Sequence, residues 1–325
     1  MTRLKLRWVI LIIVGLVVVL ILAVFVTPNI QLTSQPRPAS DYAEAAQRIE
    51  SMQAAQGSEY NPVCKTQFIT HGKKVDRVVI FVHGYTFCPQ MFASLATMFY
   101  NLGYNVLIPP LPRHGLANGL NTEQEKLTAE EMAAYSDQVM DIARGLGDHI
   151  TMAGISAGGV VTAWAAQTRS DLDLAVPISP GFGFAQIPGP LTVPAMNVFL
   201  TLPNSYQWWD ADLKEKVGPP NTYPRYSTHA LAQILRFGLA TATAARQKTP
   251  AAHSILVITN ANDDAVDNTA TAGVVTAWRE HGARDLRTFQ FDANLKLGHD
   301  LIDPARPNQR VDIVYPKLIE LITNQ

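Results

Sequence analysis

A serine set among small residues is the first feature of this sequence that could do covalent chemistry. Ser156 stands in Gly154-Ile155-Ser156-Ala157-Gly158, between a predicted strand and a predicted helix. A serine hydroxyl attacks a carbonyl carbon once a base takes its proton, and small neighbours allow the tight turn that exposes the oxygen. Without those flanking elements the same residues could form a glycine-rich helix start that binds an anion. The strand and the helix favour a nucleophile.

A histidine and three aspartates that could activate this serine follow later predicted strands. His299 lies after the last of these strands and could act as the general base. Asp263, Asp264 and Asp267 lie just after the strand predicted at 254–259, where an acid could orient the histidine and stabilise its cation. Asp267 is predicted to cap the next helix, which leaves Asp263 and Asp264 as candidates for the acid.

A backbone site for negative charge is predicted where the strand Val78–Val82 ends at His83-Gly84. Acyl transfer develops a charge on the carbonyl oxygen, and backbone N–H groups can stabilise that charge. The predicted donors are the N–H groups of Tyr85, after the glycine, and of Ala157, after the nucleophile. The side chain of His83 is interpreted as a buried group that shapes the loop.

The elements that must position these residues alternate between strand and helix. Short apolar runs predict buried strands, and apolar residues at steps of three and four predict helices. Strands are predicted at 78–82, 105–109, 149–155, 174–178, 254–259 and 286–291, and helices at 40–55, 91–102, 128–146, 157–168 and 269–281. This alternation indicates an α/β fold with a mostly parallel central sheet flanked by helices. Residues 180–250 break the rhythm and are predicted to form an irregular insertion over one end of the sheet.

Five short segments of this chain resemble the α/β-hydrolase superfamily, and more narrowly bacterial carboxylesterases and monoacylglycerol lipases. The segments are His83-Gly84-Tyr85-Thr86, Leu111-Pro112-Arg113-His114-Gly115, Gly154-Ile155-Ser156-Ala157-Gly158, Asp263-Asp264-Ala265-Val266 and Gly298-His299-Asp300. The resemblance covers about residues 65–325. The order serine, aspartate, histidine is that of α/β-hydrolases and differs from both large groups of serine proteases.

The resemblance implies a catalytic triad and a cap. Because such relatives place the acid first in an Asp-x-x-Val pattern, it favours Asp263 over Asp264 beside Ser156 and His299. It assigns the oxyanion hole to Tyr85 and Ala157, and the cap domain to residues 180–250. The implied activity is hydrolysis of carboxylic esters through an acyl-enzyme. A thioesterase, an acyltransferase or a peptidase could use the same triad, and a catalytically silent binding module could keep the same fold.

A long apolar run predicts a membrane anchor at the N-terminus. Trp8–Val26 carries no charge and is long enough to cross a bilayer as a helix, and Arg3, Lys5 and Arg7 precede it. The cations place the N-terminus in the cytoplasm and the catalytic domain outside; a cleaved signal peptide, giving a secreted enzyme, is the alternative. The predicted organisation is an anchor at 1–27, a linker with a membrane-proximal helix at 28–60, and a hydrolase domain at 61–325.

Composition excludes several other classes of function. The 325 residues are 47% hydrophobic with a formal net charge of -1, so no basic surface is available for nucleic acid. The sequence contains no metal-binding or nucleotide-binding motif, and neither a metal nor an organic cofactor is predicted. The expected ligand is a small, hydrophobic ester. The pairing of Cys64 with Cys88 and the oligomeric state stay open.

Overall fold

A seven-stranded, mostly parallel sheet forms the centre of the protein, in a computed structural model that describes residues 8, 10–15, 22–209, 221–306 and 309–324. The strands are β1 Gln67–Ile69, β2 Val75–Val82, β3 Asn105–Ile108, β4 Gly147–Ile155, β5 Leu174–Ile178, β6 Tyr206–Trp208, β7 Arg225–Ser227, β8 Ser254–Asn260 and β9 Leu286–Phe291. The sheet order is β1-β3-β2-β4-β5-β8-β9, and β6 pairs with β7 in a separate antiparallel ribbon. Only β1 runs antiparallel within the described sheet. The predicted parallel sheet is confirmed.

Helices cover both faces of this sheet, as the alternating sequence pattern predicts. They are α1 Tyr42–Ala54, α2 Ala93–Asn101, α3 Ala129–Leu146, α4 Ala157–Thr168, α5 Thr192–Thr201, α6 Thr228–Ala245, α7 Asn268–Glu280 and α8 Val311–Thr323. The central strand β2 shows why both faces are apolar. Its Val78, Ile80 and Val82 belong to one buried cluster, and Val79 and Phe81 belong to the cluster on the opposite face.

The segment 180–250 is more regular than the sequence predicts. It contains α5, the β6–β7 ribbon and the long helix α6. Gly238 and three threonines lower the helix propensity of α6, but packing of Phe237 against Trp164 of α4, with ring centroids 5.6 Å apart, overrides that preference. The prediction of an irregular segment is therefore wrong for α6, part of which belongs to the main core. The limits of the cap stay a prediction.

The linker before α1 is docked on the body of the protein. Backbone N–H groups of Gln35 and Arg37 donate to the carboxylates of Asp137, at 2.5 Å, and Asp141, at 2.7 Å, both on α3. The guanidinium of Arg169, whose side chain is 1% exposed, lies 3.3 Å and 2.8 Å from the same two carboxylates. It also pairs with the carboxylate two residues further along, so one buried cation faces three aspartates.

Part of the predicted anchor lies outside the described residues. Residues 9 and 16–21 of the run Trp8–Val26 are not described. Within the described stretches, no helix combines the length and the apolar character needed to cross a membrane. The C-terminal end of the run contacts α5, because the side-chain amide of Asn197 donates to the carbonyls of Val24 and Val26 at 2.8 and 2.9 Å.

The two cysteines form a disulfide, which answers a question that the sequence leaves open. Cys64 ends a short 3-10 turn before β1, and Cys88 lies in the loop after β2. Both residues are buried. The bond joins segments 24 residues apart and fixes the loop that follows His83-Gly84 to a neighbouring turn.

Candidate active site

Ser156 lies in a strained turn between β4 and α4. Its φ of 58° and ψ of -118° are unfavourable for a residue with a side chain, and such strain persists only where the surroundings impose it. Here the Ser156 N–H donates to the carbonyl of Ile178 at 3.0 Å, and its carbonyl accepts from the Gly181 N–H at 3.1 Å. A Cβ on Gly158 would lie 2.1 Å from the carbonyl oxygen of Val82. The turn therefore requires a residue without a side chain at position 158, which the sequence supplies.

Asp263 and His299 are brought together from loops after β8 and β9. Nδ1 of His299 lies 2.9 Å from both carboxylate oxygens of Asp263, whose side chain is fully buried. Oδ1 of Asp263 also accepts from the N–H groups of Ala265 and Val266, at 3.1 and 3.0 Å. The carboxylate is thus fixed by its own loop and oriented toward the histidine. Asp264 is exposed, and Asp267 caps α7 as the sequence predicts.

The charges of this pair favour an imidazolium stabilised by a carboxylate. Burial alone would lower the pKa of His299, but the hydrogen bond and charge of Asp263 outweigh it and raise that pKa above 6.5. Burial would raise the pKa of Asp263, and the hydrogen bond and charge of His299 instead hold it below its ordinary value. Because this environment stabilises the protonated ring, His299 is suited to accept a proton in a reaction.

Ser156 lies at the same edge of the sheet as this pair. It follows β4, and carboxyl ends of parallel strands point to one edge. In the described part of the chain, its hydroxyl makes no hydrogen bond to His299. Catalytic hydrogen bonds are often long without substrate and tighten when it binds. The role of Ser156 stays a prediction, as do the roles of Asp263 and His299.

The two predicted oxyanion donors flank the nucleophile. A Cβ on Gly84 would lie 3.3 Å from Cβ of Ser156, so the loop after β2 passes directly beside the serine. Tyr85 follows that glycine, and Ala157 opens α4, where N–H groups lack helical partners. Among the residues that the structure describes, neither N–H has an acceptor. Both are available to a charged oxygen near Ser156, and their role stays a prediction.

Two buried histidines accept hydrogen bonds from backbone N–H groups of the loops around Ser156. Nε2 of His83 accepts from the Leu111 N–H at 2.9 Å, which confirms the interpretation of His83 as a residue that shapes the loop. Nε2 of His114 accepts from the Thr86 N–H at 3.1 Å. Burial lowers the pKa of His83 to about 3 and that of His114 to about 4, so both are neutral acceptors near neutral pH.

Ser179 is a site residue that the sequence does not reveal. It follows β5 with a φ of 39°, and its side chain is fully buried. Its hydroxyl lies beside Asp263 but does not form a regular hydrogen bond with it. Burial raises the pKa of Asp263, and the Ser179 hydroxyl adds to the effect of His299 in lowering it. The position directly after a buried strand is the only signal that the sequence offers for it.

Comparison with known sequences relates the chain to hydrolases. A profile of the alpha/beta hydrolase family matches residues 79–311, which is well over half of the chain. The thermostable monoacylglycerol lipase of Bacillus sp. (strain H-257) is 28% identical over 164 residues, which make up 49% of this chain. The match spans 60% of that lipase, which is less than two thirds of its length.

Several solved structures share this fold. A structure of LipS and LipT, two metagenome-derived lipolytic enzymes, has a TM-score of 0.62 at 18% identity and covers 82% of this chain and 100% of that one. The monoacylglycerol lipase of Paleococcus ferrophilus has a TM-score of 0.59 at 16% identity and covers 80% of this chain and 98% of that one. At such low identity these structures establish the fold alone.

Proposed function

Because the chain belongs to the alpha/beta hydrolase family, we propose that it is a serine hydrolase that cleaves carboxylic esters through an acyl-enzyme on Ser156. The observation that carries the proposal is the hydrogen-bonded pair of Asp263 and His299, which lies at the same sheet edge as the strained turn of Ser156. The sequence match to a bacterial monoacylglycerol lipase supports ester hydrolysis.

The geometry supports a two-step mechanism. Nε2 of His299 takes the proton of Ser156 as the serine oxygen attacks the ester carbonyl, and Asp263 stabilises the resulting imidazolium. The N–H groups of Tyr85 and Ala157 donate to the negatively charged carbonyl oxygen. Collapse of the tetrahedral intermediate breaks the bond to the alcohol, which receives the proton from His299. Water, deprotonated by His299, then attacks the acyl-enzyme. The bond between the acyl carbon and the Ser156 oxygen breaks, His299 returns its proton to that oxygen, and the acid is released.

The residues over the site support an apolar substrate. Helix α5 carries no charged residue, and of its ten residues only Pro194 and Met196 are buried. Its apolar side chains Val193, Phe199 and Leu200 are half-buried and pack in one cluster with Phe184, which bridges to Val266 in the loop of Asp263. We infer that this uncharged, largely apolar helix borders the site. Clefts of this composition suit hydrophobic ligands. We expect an acyl or alcohol group with a sizeable apolar part.

The membrane anchor belongs to the same proposal. The charge-free run Trp8–Val26 after a basic N-terminus supports a single span with the catalytic domain outside the cytoplasm. The disulfide of Cys64 and Cys88 supports that side, because such bonds persist in oxidising compartments. Full-length protein should stay in the membrane fraction after alkaline extraction, and a C-terminal tag should be accessible from the outer face. Release of the whole protein by alkali would exclude a spanning anchor.

Covalent labelling of the full-length protein tests the catalytic proposal. A fluorophosphonate probe should label wild-type protein and leave Ser156→Ala unlabelled, because only an activated serine reacts at a useful rate. A series of soluble 4-nitrophenyl esters, with thioesters and peptides beside them, then identifies the substrate class. Absence of labelling in a folded wild-type protein would favour a silent binding module. Faster turnover of thioesters than of matched esters would favour a thioesterase.

A further inference from the structure

Thr86 has a backbone conformation that is rare for its residue type. It directly follows the proposed oxyanion donor Tyr85, and its φ is 65°. A β-branched residue at positive φ is a genuine outlier, and such a conformation persists only where the surroundings hold it. Thr86 is also buried. The path of the loop that carries the Tyr85 N–H therefore depends on the contacts that hold Thr86 in this conformation.

All three polar groups of Thr86 are occupied, two of them by the segment that follows α5. Its N–H donates to Nε2 of His114 at 3.1 Å. Its carbonyl accepts from the Tyr223 N–H at 2.7 Å, and its hydroxyl accepts from Nε1 of Trp209 at 2.9 Å. Trp209 directly follows β6, and Tyr223 lies two residues before β7. Thr86 is thus held by residues at both ends of the ribbon, one directly after β6 and one shortly before β7.

The side chain of Tyr85 is attached to the same ribbon. Its hydroxyl accepts from the N–H of Ser227, the last residue of β7, at 2.9 Å and donates to the side-chain oxygen of Gln124. The side-chain amide of Gln124 in turn donates to the carbonyl of Arg225 at 3.1 Å. On the other side of Thr86, the disulfide at Cys88 fixes the loop to the body of the protein. The ribbon therefore meets two successive residues of this loop.

We propose that the β6–β7 ribbon sets the conformation of the oxyanion loop, residues 84–88, with Thr86 and Trp209 as positioning residues that aim the Tyr85 N–H at the developing oxyanion. The inference rests on the proposed function. Neither Thr86 nor Trp209 touches the reacting atoms; they act through Tyr85. The oxyanion hole then depends on the hydrogen bonds between the ribbon and this loop.

Two substitutions remove the bond between ribbon and loop while keeping an aromatic ring at position 209 and a β-branched side chain at position 86. Trp209→Phe deletes the Nε1 donor but keeps a ring to pack against Tyr226, whose centroid lies 4.3 Å from that of Trp209. Thr86→Val deletes the hydroxyl but keeps the β-branch. Thr86→Ser keeps the hydroxyl, and Trp208→Phe changes the neighbouring tryptophan, so these two variants serve as matched controls.

The test compares binding of the transition state with binding of the substrate, in full-length protein with a soluble 4-nitrophenyl ester. Trp209→Phe and Thr86→Val should each lower kcat about tenfold, short of the loss from deleting an oxyanion donor, with KM changed less than about twofold. A trifluoromethyl ketone, which forms an oxyanion with the serine, should bind weaker by the same factor as kcat falls. The double variant should be no worse than either single one, and both controls should match wild type.

The possible failures are distinguishable. A folded Trp209→Phe protein with unchanged kcat and unchanged ketone affinity would overturn the inference, as would a loss confined to KM. If Trp209→Phe loses its cooperative thermal transition, the comparison of Thr86→Val with Thr86→Ser decides by the same criteria. If wild-type protein is not labelled by the fluorophosphonate, the proposed function fails and the inference fails with it. Labelling of wild type with unaffected variants overturns the inference alone.

Discussion

Replacing Asp263 by asparagine should stop catalysis while leaving the loop intact. Oδ1 of Asp263 accepts two backbone N–H groups, from Ala265 and Val266. An asparagine keeps both bonds only if its oxygen occupies that position, which directs its NH₂ group toward Nδ1 of His299. This NH₂ group, in the place of Oδ2 at 2.9 Å from Nδ1, favours the tautomer in which Nδ1 accepts and the ring carries its proton on Nε2. In that tautomer His299 cannot take the proton of Ser156.

The expected loss is large and has a signature in the pH profile. A wrong tautomer at this position lowers kcat roughly 10⁴-fold, which corresponds to about 5.5 kcal/mol of barrier. Burial lowers the pKa of His299, but Asp263 raises it above 6.5 in the wild type. Because the base works unprotonated, wild-type kcat/KM should fall as the pH drops through that raised pKa. Without the charge of Asp263 the pKa falls, and the residual activity should persist to lower pH.

Asp264→Asn is the matched control, because Asp264 is adjacent and exposed. Initial rates with a soluble 4-nitrophenyl ester between pH 5 and 9, on protein checked by circular dichroism, measure both effects. Asp264→Asn should keep nearly full kcat. The charge of Asp264 raises the pKa of His299 less than the charge of Asp263 does, so the fall of activity at low pH should shift at most slightly downward. If Asp263→Asn stays within tenfold of wild type while Asp264→Asn loses activity, the assignment of the acid is wrong.

Three further variants test the framework around the site. The pair Cys64→Ser with Cys88→Ser should lower the free energy of unfolding by roughly 3 kcal/mol, since the bond closes a loop over a sequence separation of 24; an unchanged urea midpoint would contradict this. Arg169→Met leaves buried carboxylates without their cation and should cost about 3–5 kcal/mol in the same titration; equal stability would show that those carboxylates are paired otherwise. Gly158→Ala forces its Cβ against the carbonyl of Val82, 2.1 Å away, and should slow fluorophosphonate labelling by at least about tenfold; labelling at the wild-type rate would mean that the turn relaxes freely.

The sequence predicts the frame of this protein well because local patterns determine it. Short apolar runs mark β2 and β5, and the Thr128–Glu131 capping box predicted from the sequence is present at the start of α3. Strand β1 could not be predicted, because it has three half-buried residues and gains its place only by antiparallel pairing with β3. Helix α6 was missed because weak helix formers obscure its pattern.

The residues of the proposed site also divide into those that sequence patterns predict and those that they miss. Ser156 directly follows β4, His299 lies in the loop after β9, and both carry recognisable neighbours, so the chain itself marks them. Trp209 and Thr86 are 123 positions apart in sequence, and no periodicity links them. Their contact depends on how the segment after α5 folds back over the sheet, and the positive φ of Thr86 is a property of the assembled loop. Residues that position other residues are therefore the ones that sequence patterns miss.

The two buried histidines and the proposed general base His299 must work in one pH range, and their environments permit it. His83 and His114 accept N–H groups of the loops around the site, which requires the neutral ring. Burial lowers the pKa of His83 to about 3 and that of His114 to about 4, so the stability that they confer is complete above about 6.5 and is lost as the pH falls toward those values. His299 is neutral only above its raised pKa. At every pH at which His299 is neutral, both buried histidines are neutral too and keep their hydrogen bonds. The fall of kcat/KM at low pH should therefore report the protonation of His299 alone.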